Sequence, residues 1–324
     1  MPTIVPAAPD PDGRLGPRAR AYGFVEYGGP ETQQLFDTPV PSPGPGQLLV
    51  AVRAAGVNPA DWKVRSGRRT GSVTVHFPAV LGREVAGVVE ASGPDTGFRP
   101  GDAVFGATAE GYGGYAEYTL VDARAAALVP ESVPFEVAAT LPVAAGTAFD
   151  IVEHLEIVDA DTVLVLGAGG GVGSATTQLA HAAGAAVLGV ASAGKRDLVE
   201  SCGGLWIESG DGFDARVAAT AERCGAVTAV VDLVGGDVLE RAVALTRAPE
   251  RVVSVADPVR AENLGGSGIT RCRTREVFEQ VVALVERGVL MPRIARTFPL
   301  AEAGAALELV ESGHAGGKIV VTFP

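Results

Sequence analysis

Cysteine is scarce in this chain. Only Cys202, Cys224 and Cys272 occur, scattered and with no CxxC pair, so neither a disulfide framework nor a cysteine-rich zinc site is expected. Cations are outnumbered too: 26 Lys and Arg against 38 Asp and Glu leave a net charge of −12. That balance argues against nucleic acid or an anionic membrane surface as partner, and any anionic ligand needs a local cluster of donors. No apolar run reaches the length of a membrane span. The opening MPTIVPAAPDPDGRLGPRAR has no apolar core behind a basic end, so residues 1–20 are read as a loose tail and not as a secretory signal. A reducing cytoplasm is the expected location. What is present is 324 residues, 47% hydrophobic and 20% charged, enough for roughly two globular domains.

The apolar pattern changes along the chain. TPVPSPGPG (38–46) is too proline-rich for a helix or a central strand and reads as a turn. LLVAVRAAGV (48–57), VAGVVEASG (85–93), RPGDAVFG (99–106) and GGYAEYTLVD (113–122) read as β segments bounded by Gly and Pro. Past Pro130, residues 135–155 carry helical spacing. Continuous apolar strands at 162–167, 185–191, 226–235 and 251–256 then alternate with helices such as 173–184, the pattern of a parallel sheet covered on both faces. Helices at 274–288 and 300–313 precede a closing strand at 318–323.

The stretch LVLGAGGGVG (164–173) places a glycine turn between strand and helix, the order a dinucleotide site needs. In the best register Gly167 and Ala168 make the turn off the strand. Gly170 lets the backbone approach a pyrophosphate, and Gly173 lets helix and strand pack closely. Gly171 and Val172 open the helix, whose free N–H groups and positive dipole end face the phosphates. The next strand ends Val190-Ala191-Ser192, followed by Ala193-Gly194-Lys195-Arg196, with no acid before Asp197. An NAD site usually has an acid there for the ribose 2′-OH. Ser192, Lys195 and Arg196 suit a 2′-phosphate instead, which favours NADP(H), unless the two cations are a solvated helix start.

With these motifs the sequence resembles the zinc-independent, quinone-oxidoreductase-like branch of the medium-chain dehydrogenase/reductase superfamily. The resemblance runs from about Ala21 onward. It rests on AAGVNPADWKVRSG (54–67), VLGREVAGVVEASG (80–93), RPGDAVFG, GGYAEY, LPVAAGTA (141–148), GAGGGVG and GHAGGKIVV (313–321). It implies an N-terminal mostly-β, GroES-like catalytic domain (21–128 and 265–324) and a Rossmann-type doubly wound parallel sheet that binds NADP (129–264). It also implies a homodimer. Zinc-dependent relatives carry Cys at the place of Asn58 and His at the place of Arg83. They carry a third ligand within 141–147, where this chain has neither Cys nor Asp, and they need four closely spaced Cys that 95–130 lacks. Only Glu84 survives of the ligand set, so no metal is expected.

Further site residues follow from the resemblance. Asn58 is expected to hydrogen-bond cofactor or substrate, or else to be a turn Asn before Pro59. Asp61 and Lys63 are placed with it as catalytic-site residues, Asp61 being equally open as a helix cap. Thr147 is placed near the nicotinamide ribose. Val234, Ser254 and Val255 lie at strand ends facing the ligand crevice. Lys318 is expected to reach the cofactor or to be a plain surface lysine. Without a Lewis acid to stabilise an alkoxide, the expected chemistry is hydride transfer from NADPH to a small electrophile, a quinone or an α,β-unsaturated carbonyl. A pathway-specific enoyl-thioester reductase and a non-catalytic NADPH-binding protein are the alternatives.

Overall fold

Thr162–Leu166 is apolar at nearly every position. Because successive strand side chains point to opposite faces, such a strand demands cover on both. The computed structural model, which describes residues 16–324, shows that cover. Val163 and Val165 pack with Ile151, Leu155 and Ala180, whereas Leu164 and Leu166 pack with Phe213, Val217 and Leu239 on the other side. The sheet is parallel throughout, in the order Leu205–Glu208, Ala186–Ala191, Thr162–Leu166, Ala229–Asp232 and Val252–Ser254. It forms the centre of one compact unit, Ala144–Cys272 with Ala283–Arg293.

The other unit comprises the chain up to Val143 together with Arg273–Val282 and Ile294–Pro324. Its main sheet has six strands, ordered Ile294–Pro299, Lys318–Thr322, Gln47–Val57, Glu84–Ser92, Ala103–Thr108 and Tyr118–Leu128. The last of these also pairs with Gln47–Val57, so four strands close on each other and leave no free edge between them. A small antiparallel sheet joins Gln33–Pro39, Arg18–Phe24 and Ala79–Val80. Fold class and its two architectures match the expectation from sequence.

Several local expectations change. The tail expected to reach residue 20 is shorter in its described part, because a strand begins at Arg18. There cations alternate with buried Ala19 and Ala21, a period of two. Residues 1–15 lie outside the described residues. The strand expected at 113–122 runs instead over Tyr118–Leu128, since Gly113 and Gly114 press against Val80 and Val85 in a turn. A segment long and apolar enough to cross a membrane does exist by length and composition, the 20-residue Phe135–His154. It is mostly buried, as expected of a core helix.

One ion pair fastens the start of three parallel strands. Asp161, just before Thr162–Leu166, accepts from Arg251 Nη1 at 2.6 Å and Nη2 at 3.0 Å. It also accepts from the Thr228 hydroxyl at 2.6 Å and the Val158 amide at 3.0 Å. Arg251 and Thr228 immediately precede the strands Val252–Ser254 and Ala229–Asp232. The Arg251 hydrogen bonds, helped by those of Thr228 and Val158 and opposed by burial, pull the Asp161 carboxyl down to about 2. A depressed carboxyl contributes stability above its ordinary pKa that is lost as pH falls through its folded value. Asp161→Asn should therefore cost about 1–3 kcal/mol at neutral pH. The gap to the parent should close between pH 4 and pH 2, as read by urea denaturation across pH.

Candidate active site

Gly167 follows the strand with a φ of +81°, a conformation that glycine adopts without strain. The helix Gly171–Ala182 then starts from Gly170. A Cβ at Gly173 would lie 2.2 Å from the Gly167 carbonyl oxygen and 2.7 Å from Ala168 Cα, so helix and strand approach as closely as backbone allows. A Cβ at Gly170 would meet only the Gly167 oxygen, at 3.5 Å, which leaves open space over that backbone. Among the described residues the amides of Gly171, Val172 and Gly173 have no acceptor, as the first turn of a helix requires before a ligand arrives. These features fit a dinucleotide pyrophosphate.

The cations of the next turn are deployed differently from each other. Lys195 lays its stem across the loop, so that a Cβ at Gly169 would strike its Cδ at 2.3 Å. Burial holds its ammonium below the ordinary lysine range. Arg196 pairs with Glu200 at 2.8 Å and stacks its guanidinium 5.4 Å from the Trp206 ring. Ser192 is exposed beside them.

At the far ends of the strands, Asp232 organises the turn. Its carboxylate, fully buried, accepts from the amides of Val234 and Gly235 at 2.9 Å each and from the Ser254 hydroxyl at 2.6 Å. Ser254 in turn accepts from the Asp257 amide at 2.9 Å, and the Val255 amide donates to the Asp232 carbonyl at 2.9 Å. Ser254 and Val255 thus fix the loops at these strand ends, while the Val234 side chain stays exposed. Thr147 is buried in the helix Gly146–His154. Asp232 was not singled out from sequence. Its signal was an acid closing an apolar strand before two glycines.

The first unit holds a second polar centre. Glu84, with no exposed surface, opens the strand Glu84–Ser92. Lys318 Nζ donates to its Oε1 at 2.7 Å and to Asn58 Oδ1 at 2.8 Å, and Asn58 Nδ2 donates to the same Oε1 at 2.8 Å. The remaining oxygen, Oε2, accepts from the Val143 amide at 2.7 Å. That amide is available because the helix widens over Leu141–Ala145 around Pro142 into a π turn, a distortion common at functional sites. Lys318 is therefore neither a surface lysine nor free: it balances Glu84.

Asn58 also begins the helix Pro59–Arg65, and Asp61 is its cap: Asp61 Oδ2 accepts the Asn58 amide at 2.8 Å and the Tyr115 hydroxyl at 2.9 Å. Asp61 Oδ1 is buried without a partner. Burial lifts the carboxyl to about 6, against the opposing pull of the Asn58 amide, Tyr115 and the charge of Arg83. Tyr115, expected as a strand residue, sits fully buried in a bend. Burial, then Asp61, raises its hydroxyl well above the ordinary range. Lys63 lies 5.7 Å from the Trp62 ring and joins none of these bonds. The set brought together is thus Asn58, Asp61, Glu84, Tyr115 and Lys318. No three metal-binding side chains converge among the described residues; of the two carboxylates in this set, Glu84 is already bound by an ammonium and Asp61 is held by the Asn58 amide and the Tyr115 hydroxyl. This donor set does not fit a zinc ion.

Known proteins resemble both halves. Residues 44–131 match the family described as Alcohol dehydrogenase GroES-like domain, and residues 211–321 the one described as Zinc-binding dehydrogenase. The chain is 32% identical to the quinone oxidoreductase of Lama guanicoe, over 93% of this chain and 97% of that protein. It is 34% identical to the spectinabilin polyketide synthase system protein NorB of Streptomyces orinoci over 97% of this chain, which spans only 15% of NorB's length. Among solved structures, the quinone oxidoreductase from Coxiella burnetii matches with a TM-score of 0.85 at 28% identity, covering 95% of this chain and all of that one.

Two outcomes follow from the buried charges. Lys318→Met should destabilise by about 3–5 kcal/mol by stranding Glu84, and adding Glu84→Gln should recover much of the loss. Guanidinium titrations of the single and double variants check this. Asp61 carries a raised pKa, so the unfolded chain releases its proton first. Stability should therefore fall as pH rises from 4 to 6 and level off above, by about 3 kcal/mol at most. Asp61→Asn should flatten that slope in urea midpoints measured between pH 4 and 7.

Proposed function

Since the chain belongs to the medium-chain dehydrogenase/reductase family and is quinone-oxidoreductase-like, we propose that it is an NADPH-dependent reductase of quinones or α,β-unsaturated carbonyls that works without a metal ion. The observation that carries this reading is the ammonium of Lys318 on Glu84. With Glu84 neutralised and Asp61 held by an amide and a phenol, the site offers no ligand set for a Lewis acid, and an electron-poor acceptor needs none. NADPH supplies the hydride when bound. The glycine loop holds the pyrophosphate through open amides and the helix N-terminus. Lys195, crossing Gly169, is placed to meet a 2′-phosphate, and the strand Ala186–Ala191 ends without an acid. Asp232 and Ser254 hold the crevice loops still, so that alignment of the reacting carbons supplies much of the rate.

A second reading, an enoyl-thioester reductase of a biosynthetic pathway, is favoured by the similarity to NorB. It uses the same hydride chemistry on a committed substrate. Loss of reduced-nicotinamide absorbance with a panel of quinones, enones and enoyl thioesters separates the two readings, and inertness across the panel would sink both. Lys195→Ala with Arg196→Ala should raise the NADPH Kd by about tenfold or more and leave NADH nearly unchanged. An equal loss for both nucleotides would remove the basis for NADP. Stoichiometric zinc in elemental analysis would overturn the metal-free mechanism.

A further inference from the structure

Between Asp61 and Glu84, both buried, the chain carries Lys63, Arg65, Arg68, Arg69 and Arg83 and not one Asp or Glu. This is the reverse of a chain whose net charge is −12. Arg65 is accounted for: it is buried, donates to the Gly28 carbonyl and pairs with Glu311 at 3.0 Å. Among the described residues the other four have no such partner. Lys63 and Arg68 lie 5.7 and 5.0 Å from the Trp62 ring. Arg69 and Arg83 are half-buried, and among the described residues neither guanidinium donates to a carboxylate or a carbonyl. Arg69 is held below the ordinary arginine range by burial first and then by the charge of Arg83.

Half-desolvated guanidinium groups left unpaired cost free energy, and an acidic chain has carboxylates to spare for them. Asp61, the acid whose charge interacts with Arg83, gives its Oδ2 to the Asn58 amide and Tyr115, and among the described residues no guanidinium donates to its Oδ1. The cluster is also attached to the polar centre. Arg83 immediately precedes Glu84, and Arg69 follows the short helix that Asn58 begins. Guanidinium forks bind carboxylate and phosphate oxygens bidentately.

We propose that Arg69 and Arg83, flanked by Lys63 and Arg68, receive an anionic group, carboxylate or phosphate, carried by the substrate, and so select acceptors that bear a negative charge. Half-burial of the two central arginines suits a small anion that enters, not the face of an acidic protein, and the net charge repels the latter. The kinetic half of this inference rests on the reductase reading, whereas the binding half stands apart from it.

The test pairs both. The KM for a 4-oxo-2-enoate should be about tenfold below that for its methyl ester, and added salt should erase the advantage. Arg69→Gln with Arg83→Gln should remove the ratio between the two acceptors. Calorimetry on the same proteins, saturated with NADPH, uses inorganic phosphate and succinate as probes. Wild type should bind at least one, about tenfold more tightly than the variant, and the better probe identifies phosphate or carboxylate. Should the double variant misfold, Arg69→Gln alone and the salt series on wild type decide. If both acceptors are reduced with equal KM and neither probe distinguishes the variants, the anion site is overturned and the reductase reading stands. If no acceptor is reduced but probe binding is lost in the variant, the site stands and the reductase reading falls.

Discussion

A carboxylate with no contact with solvent is the constraint around which the first unit is arranged. Glu84 cannot sit in a sheet interior unless every lone pair is answered, because the desolvation of an unpaired charge exceeds what nearby packing returns. Three separate segments answer it, and a fourth carries it. The strand Gln47–Val57 runs into Asn58, the closing strand supplies Lys318, the widened helical turn supplies the Val143 amide, and Glu84 itself starts a strand of the barrel. Asn58 holds one amide face to the carboxylate and its carbonyl to the ammonium, which fixes its orientation. The short helix after it starts from that same residue, so its direction and its Asp61 cap inherit the placement.

The second unit solves a comparable problem at both ends of one sheet. Parallel strands are joined by long crossovers, so their ends need ties of their own. Asp161 with Arg251 and Thr228 fastens the starts, and Asp232 with Ser254 fastens the finishes, the end at which parallel sheets of this kind bind ligands. The glycine loop opens at the finishing end, where Gly167 lies against Leu233 and Val234 beside the Asp232 tie. The phosphate site proposed for this loop is made of backbone amides and needs that rigidity, since backbone cannot swing to correct an error.

The fold was legible wherever burial repeats with a simple period. Thr162–Leu166 and Ala186–Ala191 are apolar throughout, and only a sheet covered on both faces uses such runs. Leu205–Glu208 and Ile294–Pro299 escaped notice because edge strands keep exposed positions such as Leu205, Glu208 and Arg296 that break the pattern. The glycine loop was legible for the same local reason, as its motif is ten residues long. Asn58 and Glu84 stood out by resemblance, yet their partner Lys318 was read as a cofactor contact or a surface residue. Nothing within a few residues of Lys318 announces Glu84. Tyr115 with Asp61, and Asp232 with Ser254, were hidden likewise, since they are contacts between segments and not patterns within one.

The separation of Glu84 and Lys318 sets a condition on how the protein is made. The two partners are 234 residues apart, and a ribosome adds about 5–20 residues per second. Roughly ten to fifty seconds therefore pass between the synthesis of the carboxylate and that of its ammonium. During that interval the barrel strands are already in hand, but closing them would bury an unanswered charge. The nascent first unit must stay open at Glu84, hydrated or protonated there, while the parallel sheet of the second unit is completed behind it. Assembly is thus ordered by electrostatics: a segment made later is the one that permits a segment made earlier to close.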